Sequence, residues 1–304
     1  MQKLSRSFAW ILVCAVLSLD PGTAVAREAE WSKRYDALVE TDEQSKGLST
    51  HMRAQAITDS YAALFPPLSA AQLSRLSAAD AAMGFRAANM ANFYTQDERH
   101  LAQMQAYFLR LEVLGATSAS QASDLMGAYV ASRRWSEAEK LQARYPAADQ
   151  EPLPSIRDTL GGKTDSGPSI LTVDAVHGEV VRIPENVMKG AVIVAISHPL
   201  CHFSQAAAAA MASDPELAKL KDDIHWIAPV DRALHLQVLQ QWNAQHPDMA
   251  MKIAYSRSQW PQLDNWGTPT FYFLLEGKLL GKVEGWPEEG RKAELLRAAH
   301  AIGL

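Results

Sequence analysis

Cysteine is nearly absent from this chain: two residues, Cys14 and Cys201, in 304. A scaffold stapled by several disulfides is therefore excluded. Positive charge is not in excess either. Lys and Arg number 29 against 34 Asp and Glu, a formal charge of -5, so no basic face is on offer and a nucleic-acid partner is not expected. Past the first twenty residues no run is apolar enough for a transmembrane helix. Between residues 28 and 146 β-branched runs are missing as well, which argues against strands there.

The start of the chain reads as a secretory signal. Lys3 and Arg6 make a basic segment, residues 8–19 are apolar but short for a span, and Thr23-Ala24-Val25-Ala26 supplies a small-x-small cleavage pattern. Cleavage is expected before Arg27, with an uncleaved anchor as the alternative. A lipoprotein reading of Cys14 fails on Val13, which stands where a small residue is required. The expectation is an exported, soluble protein without a stable membrane span, periplasmic if the source is a Gram-negative bacterium. That compartment is oxidising. Loss of Lys3, Arg6 and Asp20 leaves a charge of about -6, and loss of Cys14 leaves Cys201 as the single thiol. Any disulfide it forms must then be with another molecule.

Composition divides the chain into a signal (1–26), a helical N-terminal domain (27–146), a linker (147–169) and an α/β domain (170–304). In the helical part, Ala78, Ala81, Ala82 and Phe85, and then Met104, Tyr107, Phe108 and Leu111, carry apolar residues at helical spacing. Thr95 with Glu98 and Ser136 with Glu139 fit capping boxes, and Pro66-Pro67 and Gly115 mark breaks. Leu125, Tyr129, Trp135 and Ala138 sit at tetratricopeptide offsets, but the expected glycines and a second copy are missing. A plain helical bundle is one reading and a repeat-like unit the other. Pro146, Pro152, Pro154, Gly161, Gly162, Gly167 and Pro168 punctuate the linker.

After the linker the period changes. Residues 170–173 and 179–183 read as a hairpin about His177-Gly178. The run 191–196 is continuous and β-branched, as in a central strand covered on both faces. A helix is expected from His202, broken at Asp214-Pro215. Strands follow at 224–230 and 251–255, separated by a helix capped by Asp231 that carries Leu234, Val238 and Trp242 on one face. A hairpin at 270–284 turns at Glu276-Gly277-Lys278, and a last helix spans 288–301. The fold class is α/β with a mixed sheet behind an all-α N-terminal region.

Two fragments carry chemistry. Ser197-His198-Pro199-Leu200-Cys201-His202-Phe203-Ser204 follows the core strand, and Gly267-Thr268-Pro269-Thr270 precedes the hairpin. A cysteine opening a helix meets the positive end of the helix dipole and free N–H groups. Both favour thiolate and raise reactivity. The bland alternative is a buried structural thiol. This order of elements and these two fragments resemble the thioredoxin-like superfamily, and within it the periplasmic TlpA type, over residues 170–304. The resemblance implies a thioredoxin-like fold and a cis peptide at Pro269, with Thr268 presenting backbone to an extended substrate. Cys201 would be the nucleophile, tuned by His202 and less directly by His198. It implies no organic cofactor.

The departures are as informative. Ser204 stands where the second cysteine of the family's pair would be, and Leu200 where a tryptophan is usual. A Cys-x-x-Ser site can form a mixed disulfide but cannot resolve it internally. The expected function is thus monothiol exchange or retention of protein or small-molecule thiols. A peroxiredoxin is excluded, because His198 occupies its threonine position. Two alternatives belong to other classes: a non-enzymatic scaffold whose helical domain recruits a protein partner, and copper or zinc handling through His198, Cys201 and His202, completed by His225 or His177. Trp226, Trp242, Trp260, Trp266 and Trp286 are expected in the core, with Trp260 and Trp266 also near a client groove.

Overall fold

The computed structural model describes residues 21–146, 151–163, 167–174 and 178–304, with the backbone alone for 21–29. Residues 1–20 of the expected signal (1–26), with Lys3, Arg6 and Cys14, and His177 of the first hairpin lie outside the described residues. No helix among the described residues is long and apolar enough to cross a membrane.

Among those residues the first part of the chain is helical: α1 (Pro21–Gln44), α2 (Thr50–Leu64), α3 (Ala70–Leu73), α4 (Ala78–Thr95), α5 (Glu98–Val113), α6 (Ala119–Ala131) and α7 (Trp135–Arg144). Short polar side chains start five of them. Ser49, Ser69, Ser77, Asp97 and Ser118 each accept a backbone N–H from the first turn. Two of these are full capping boxes, Ser69 with Gln72 and Ser118 with Gln121. The boxes expected at Thr95 and Ser136 do not form. Thr95 ends α4, its hydroxyl turned back to the Ala91 carbonyl at 2.8 Å, and Asp97 caps α5 through Arg99 N at 2.7 Å. Ser136 lies inside α7, which starts without a side-chain cap. Arg133, two residues before it, is at φ +58°, and its guanidinium donates to the carbonyls of Ala254 and Tyr255 rather than to this helix.

The rest is a mixed sheet of eight strands with helices: β1 (Ser155–Asp158), β2 (Ser169–Asp174), β3 (Glu179–Pro184), β4 (Ala191–Ile196), α8 (His202–Ser213), β5 (Ile224–Ala228), α9 (Leu236–Gln245), β6 (Lys252–Ala254), β7 (Thr270–Leu275), β8 (Lys278–Glu284) and α10 (Lys292–Ile302). The strand order is β1-β3-β2-β6-β5-β4-β7-β8. β4 pairs parallel with β5 and antiparallel with β7. Its side chains alternate between two apolar layers. Ile193 and Ala195 pack with Phe271, Phe273, Met211 of α8 and Leu295 of α10. Val192, Val194 and Ile196 pack with Tyr272, Leu274, Trp260, Leu263 and Trp266. Burial on both faces is why this strand is apolar throughout, each large side chain contributing about 1.5–3 kcal/mol.

The two parts share a core, since Trp31 and Phe85 of the helical region belong to the same apolar cluster as Ile193 and Phe273 of the sheet. Polar bonds add to the join. Arg133 donates to the carbonyls of Ala254 at 2.7 Å and Tyr255 at 2.8 Å, and Arg232 donates to the Asn89 carbonyl at 3.0 Å. Thr50 donates to Asn265 Oδ1 at 2.7 Å. At Gly127 of α6 an added Cβ would sit 2.9 Å from Arg232 Cβ, so that approach needs glycine.

Two expectations are corrected in this half. The segment 147–169 is not a plain linker, because it contains β1, paired parallel to β3. The pairing is anchored by Arg182, which is fully buried, bonds Asp158 at 3.0 Å and lies 3.7 Å over the Tyr255 ring. The helix after β5 is not capped by Asp231. It begins at Leu236, and the N–H groups of His235 and Leu236 donate to Glu151 at 2.8 and 2.9 Å. Leu234 is buried but precedes the helix.

Candidate functional site

Cys201 stands where β4 gives way to α8, as the residue flanking the helix N-terminus. The loop before it is held by local bonds. Cys201 N donates to the His198 carbonyl at 3.0 Å, Gln205 N to the Cys201 carbonyl at 3.0 Å, and Gln205 Nε2 to the Pro199 carbonyl at 2.6 Å. The thiol is partly exposed. It donates to the Thr268 carbonyl at 3.3 Å, and the Thr268–Pro269 bond is cis. Thus Cys201, Thr268 and Pro269, distant in the chain, meet in one place. Beyond them Thr270 Oγ1 donates to the Gly267 carbonyl at 2.7 Å and closes the loop that carries Thr268.

Burial pushes the Cys201 thiol up. Hydrogen bonding from the Thr268 side chain, from the Ser204 N–H and hydroxyl and from the Phe203 N–H outweighs it, and the thiol lies below its ordinary range. The bond to the Thr268 carbonyl works the other way, existing only while sulfur keeps its proton. Ser204 is fully buried, and its hydroxyl accepts the His198 N–H at 3.4 Å. It serves the loop and the sulfur without being open to an incoming reagent.

The histidines divide. His202 is exposed, its ring centroid 3.8 Å from that of Phe203, and no hydrogen bond joins it to Cys201 among the described residues. His198 accepts the Leu200 N–H at its Nδ1 at 3.2 Å, so the neutral ring carries its proton on Nε2. Its ring meets His235 nearly edge-on at 5.3 Å. Burial, then the charge of His235, hold His198 below the usual imidazole range. The Asp231 carboxylate, 3.8 Å from His235 Nε2, holds His235 above that range. Two adjacent imidazoles are thereby pushed apart, one neutral and one inclined to charge.

Asp231 and His235 were not legible as site residues. The only signal was a carboxylate and an imidazole four apart after a core strand, which reads first as a helix cap. His225 does not approach the thiol: its ring pairs with buried Glu185, which also binds Lys252 at 3.1 Å. Among the described residues no three His, Cys, Asp or Glu side chains are grouped to hold a metal ion. The apolar rim is more evident. Leu200 and Phe203, on either side of Cys201 in sequence, are 61 % and 46 % exposed. The five tryptophans named above are all buried, and Trp266 also lines a cleft beside Gly267.

A scan against protein-family models, a search of curated proteins and a search of solved structures each return no match to this chain.

Proposed function

We propose that this is an exported, thioredoxin-like protein that performs monothiol exchange with a disulfide-bearing partner. The observation that carries the reading is the placement of Cys201. Its sulfur sits at the start of α8, below the ordinary thiol range, 3.3 Å from the backbone of Thr268. In the proposed step the Cys201 thiolate attacks a disulfide R–S–S–R′. A Cys201–S–S–R bond forms, the R–S to S–R′ bond breaks, and R′S⁻ leaves with the electron pair. Ser204 has no thiol to attack the new bond, so release requires an external thiolate to take R and return Cys201 to thiolate. The exposed side chains of Leu200 and Phe203 supply an apolar surface beside the sulfur on which a protein partner can pack. Thr268 offers backbone next to it for an extended segment.

The test is the rate of alkylation of Cys201 against pH, together with isolation of adducts after rapid acid quenching of cells. The reading expects a midpoint below that of free cysteine, about 8.5, and mixed disulfides that vanish in Cys201→Ser. A midpoint at or above that of free cysteine, or no adduct in the parent protein, overturns it.

A further inference from the structure

A cleft of about 250 Å³ opens between the helical region and the sheet, lined by Asn92 and Phe93 of α4, Arg232, Arg257, Trp266 and Gly267 among others. Its polar groups are unevenly satisfied. Asn92 is 1 % exposed, and its Oδ1 accepts from Arg232 Nη2 at 3.4 Å. That contact fixes the amide orientation, because the reverse would set donor against donor. Asn92 Nδ2 is left buried with no partner, and so is Arg257 Nε. Leaving a buried donor unpaired is costly, more so when it belongs to a charged group. Two such donors, on residues that line one cleft from the helical region and from the sheet, call for an acceptor.

The charges agree. Two arginines and one carboxylate, Asp231, line the cleft. Arg257 has no salt bridge among the described residues, and burial pushes its guanidinium down to about 10. Asp231 attracts Arg257 but also faces His235 at 3.8 Å, and Asp124 attracts Arg232. Two aromatic rings that line it lie beside these arginines: Phe93, 54 % exposed with the Arg232 guanidinium 5.4 Å from its ring, and Trp266, with Arg257 at 5.8 Å. The volume is below the ~300–1,000 Å³ typical of pockets that enclose drug-sized ligands.

We propose that this cleft binds a small monocarboxylate with an apolar body, its carboxylate held by Arg257 Nε and Asn92 Nδ2 and its body against Phe93 and Trp266. The ligand spans the join between the helical region and the sheet, so its binding stabilises their contact. The site needs no reaction at Cys201.

The test uses phenylacetate, with phenylacetamide as its neutral counterpart, by calorimetry and by NMR of the Trp266 indole, assigned through Trp266→Phe. Phenylacetate is expected to saturate, shift that resonance and raise the melting temperature, with at least tenfold weaker binding of the amide. Arg257→Gln and Asn92→Leu are each expected to weaken phenylacetate by about tenfold or more, the scale of a hydrogen bond to a charged group. Cys201→Ser is expected to bind as the parent does, which separates this site from the thiol chemistry. Equal binding of acid and amide, an unmoved Trp266 signal, or full binding by a folded Arg257→Gln protein overturns the proposal. So does the absence of saturation in the parent at millimolar phenylacetate, which would leave solvent alone in the cleft.

Discussion

Glu151→Ala would test the join between the linker, α9 and the histidine pair in one experiment. The Glu151 carboxylate accepts from His235 N at 2.8 Å and Leu236 N at 2.9 Å, taking up two of the free N–H groups at the start of α9. Loss of a capping side chain costs about 1 kcal/mol, and the lost negative charge at a helix N-terminus adds about 0.3–1 kcal/mol. The expected loss is therefore about 1.3–2 kcal/mol, visible as a fall in melting temperature of about 2–3 °C for a chain of 304 residues. Glu151→Gln keeps one acceptor and should lose roughly half as much.

A second readout follows from charge. Glu151 is one of the groups that raise His235, after the Asp231 carboxylate. Both variants should lower the His235 titration midpoint seen by NMR. Because the folded protein holds His235 above its unfolded value, the stability this group adds is complete below about pH 6.5 and is lost as pH rises through the folded midpoint. The variants should therefore show a smaller decline in stability over that rise than the parent does. Unchanged melting together with an unmoved His235 midpoint would refute the placement of Glu151 at α9.

Gly84→Ala in α4 would gain about 0.5–1 kcal/mol on an exposed helix, but the new Cβ would lie 2.4–2.8 Å from three ring atoms of buried Tyr107. A net loss of about 1–3 kcal/mol is expected by denaturant titration, reversing to a gain in a Tyr107→Ala background; a gain in both refutes the clash. Ser204→Ala removes a hydroxyl that lowers the Cys201 thiol and accepts from His198 N, so the alkylation midpoint should rise while the protein stays folded; a fall would count against the assigned role. Asp97→Ala should cost about 1 kcal/mol as loss of a cap, whereas Ser136→Ala should stay within about 0.5 kcal/mol; equal costs would contradict the observed helix starts.

What could be read in advance follows what local chemistry controls. β4 was legible to the residue because a strand buried on both faces must be apolar at every position. The hairpin of β7 and β8 was legible because Glu276-Gly277 adopts positive φ, which glycine provides freely. β1 was missed because Ser-Ile-Arg-Asp has one apolar residue. Its pairing is held by Arg182 from another strand rather than by its own pattern. The α9 start was misplaced because the nearest carboxylate, Asp231, looks like a cap, while the group that caps comes from 84 positions earlier. Helix starts at Thr95 and Ser136 failed for a related reason. A capping pattern states what a side chain can do, and the backbone around it decides whether it does.

The sequence by itself determined the helical character of the first part, the α/β order of the second and the placing of a thiol at the end of a core strand. These depend on periodicity, on glycine and proline, and on spacing along the chain. Only the tertiary structure decided what surrounds that thiol. It brought Thr268 to 3.3 Å from the sulfur, buried Ser204, sent His202 to the surface and set His235 with Asp231 beside His198. It also closed Asn92 and Arg257 around a cleft that no local pattern announces. The reason is physical: the environment of a polar group, hence its charge and reactivity, is set by neighbours that packing brings together, and those neighbours carry no mark of one another in the chain.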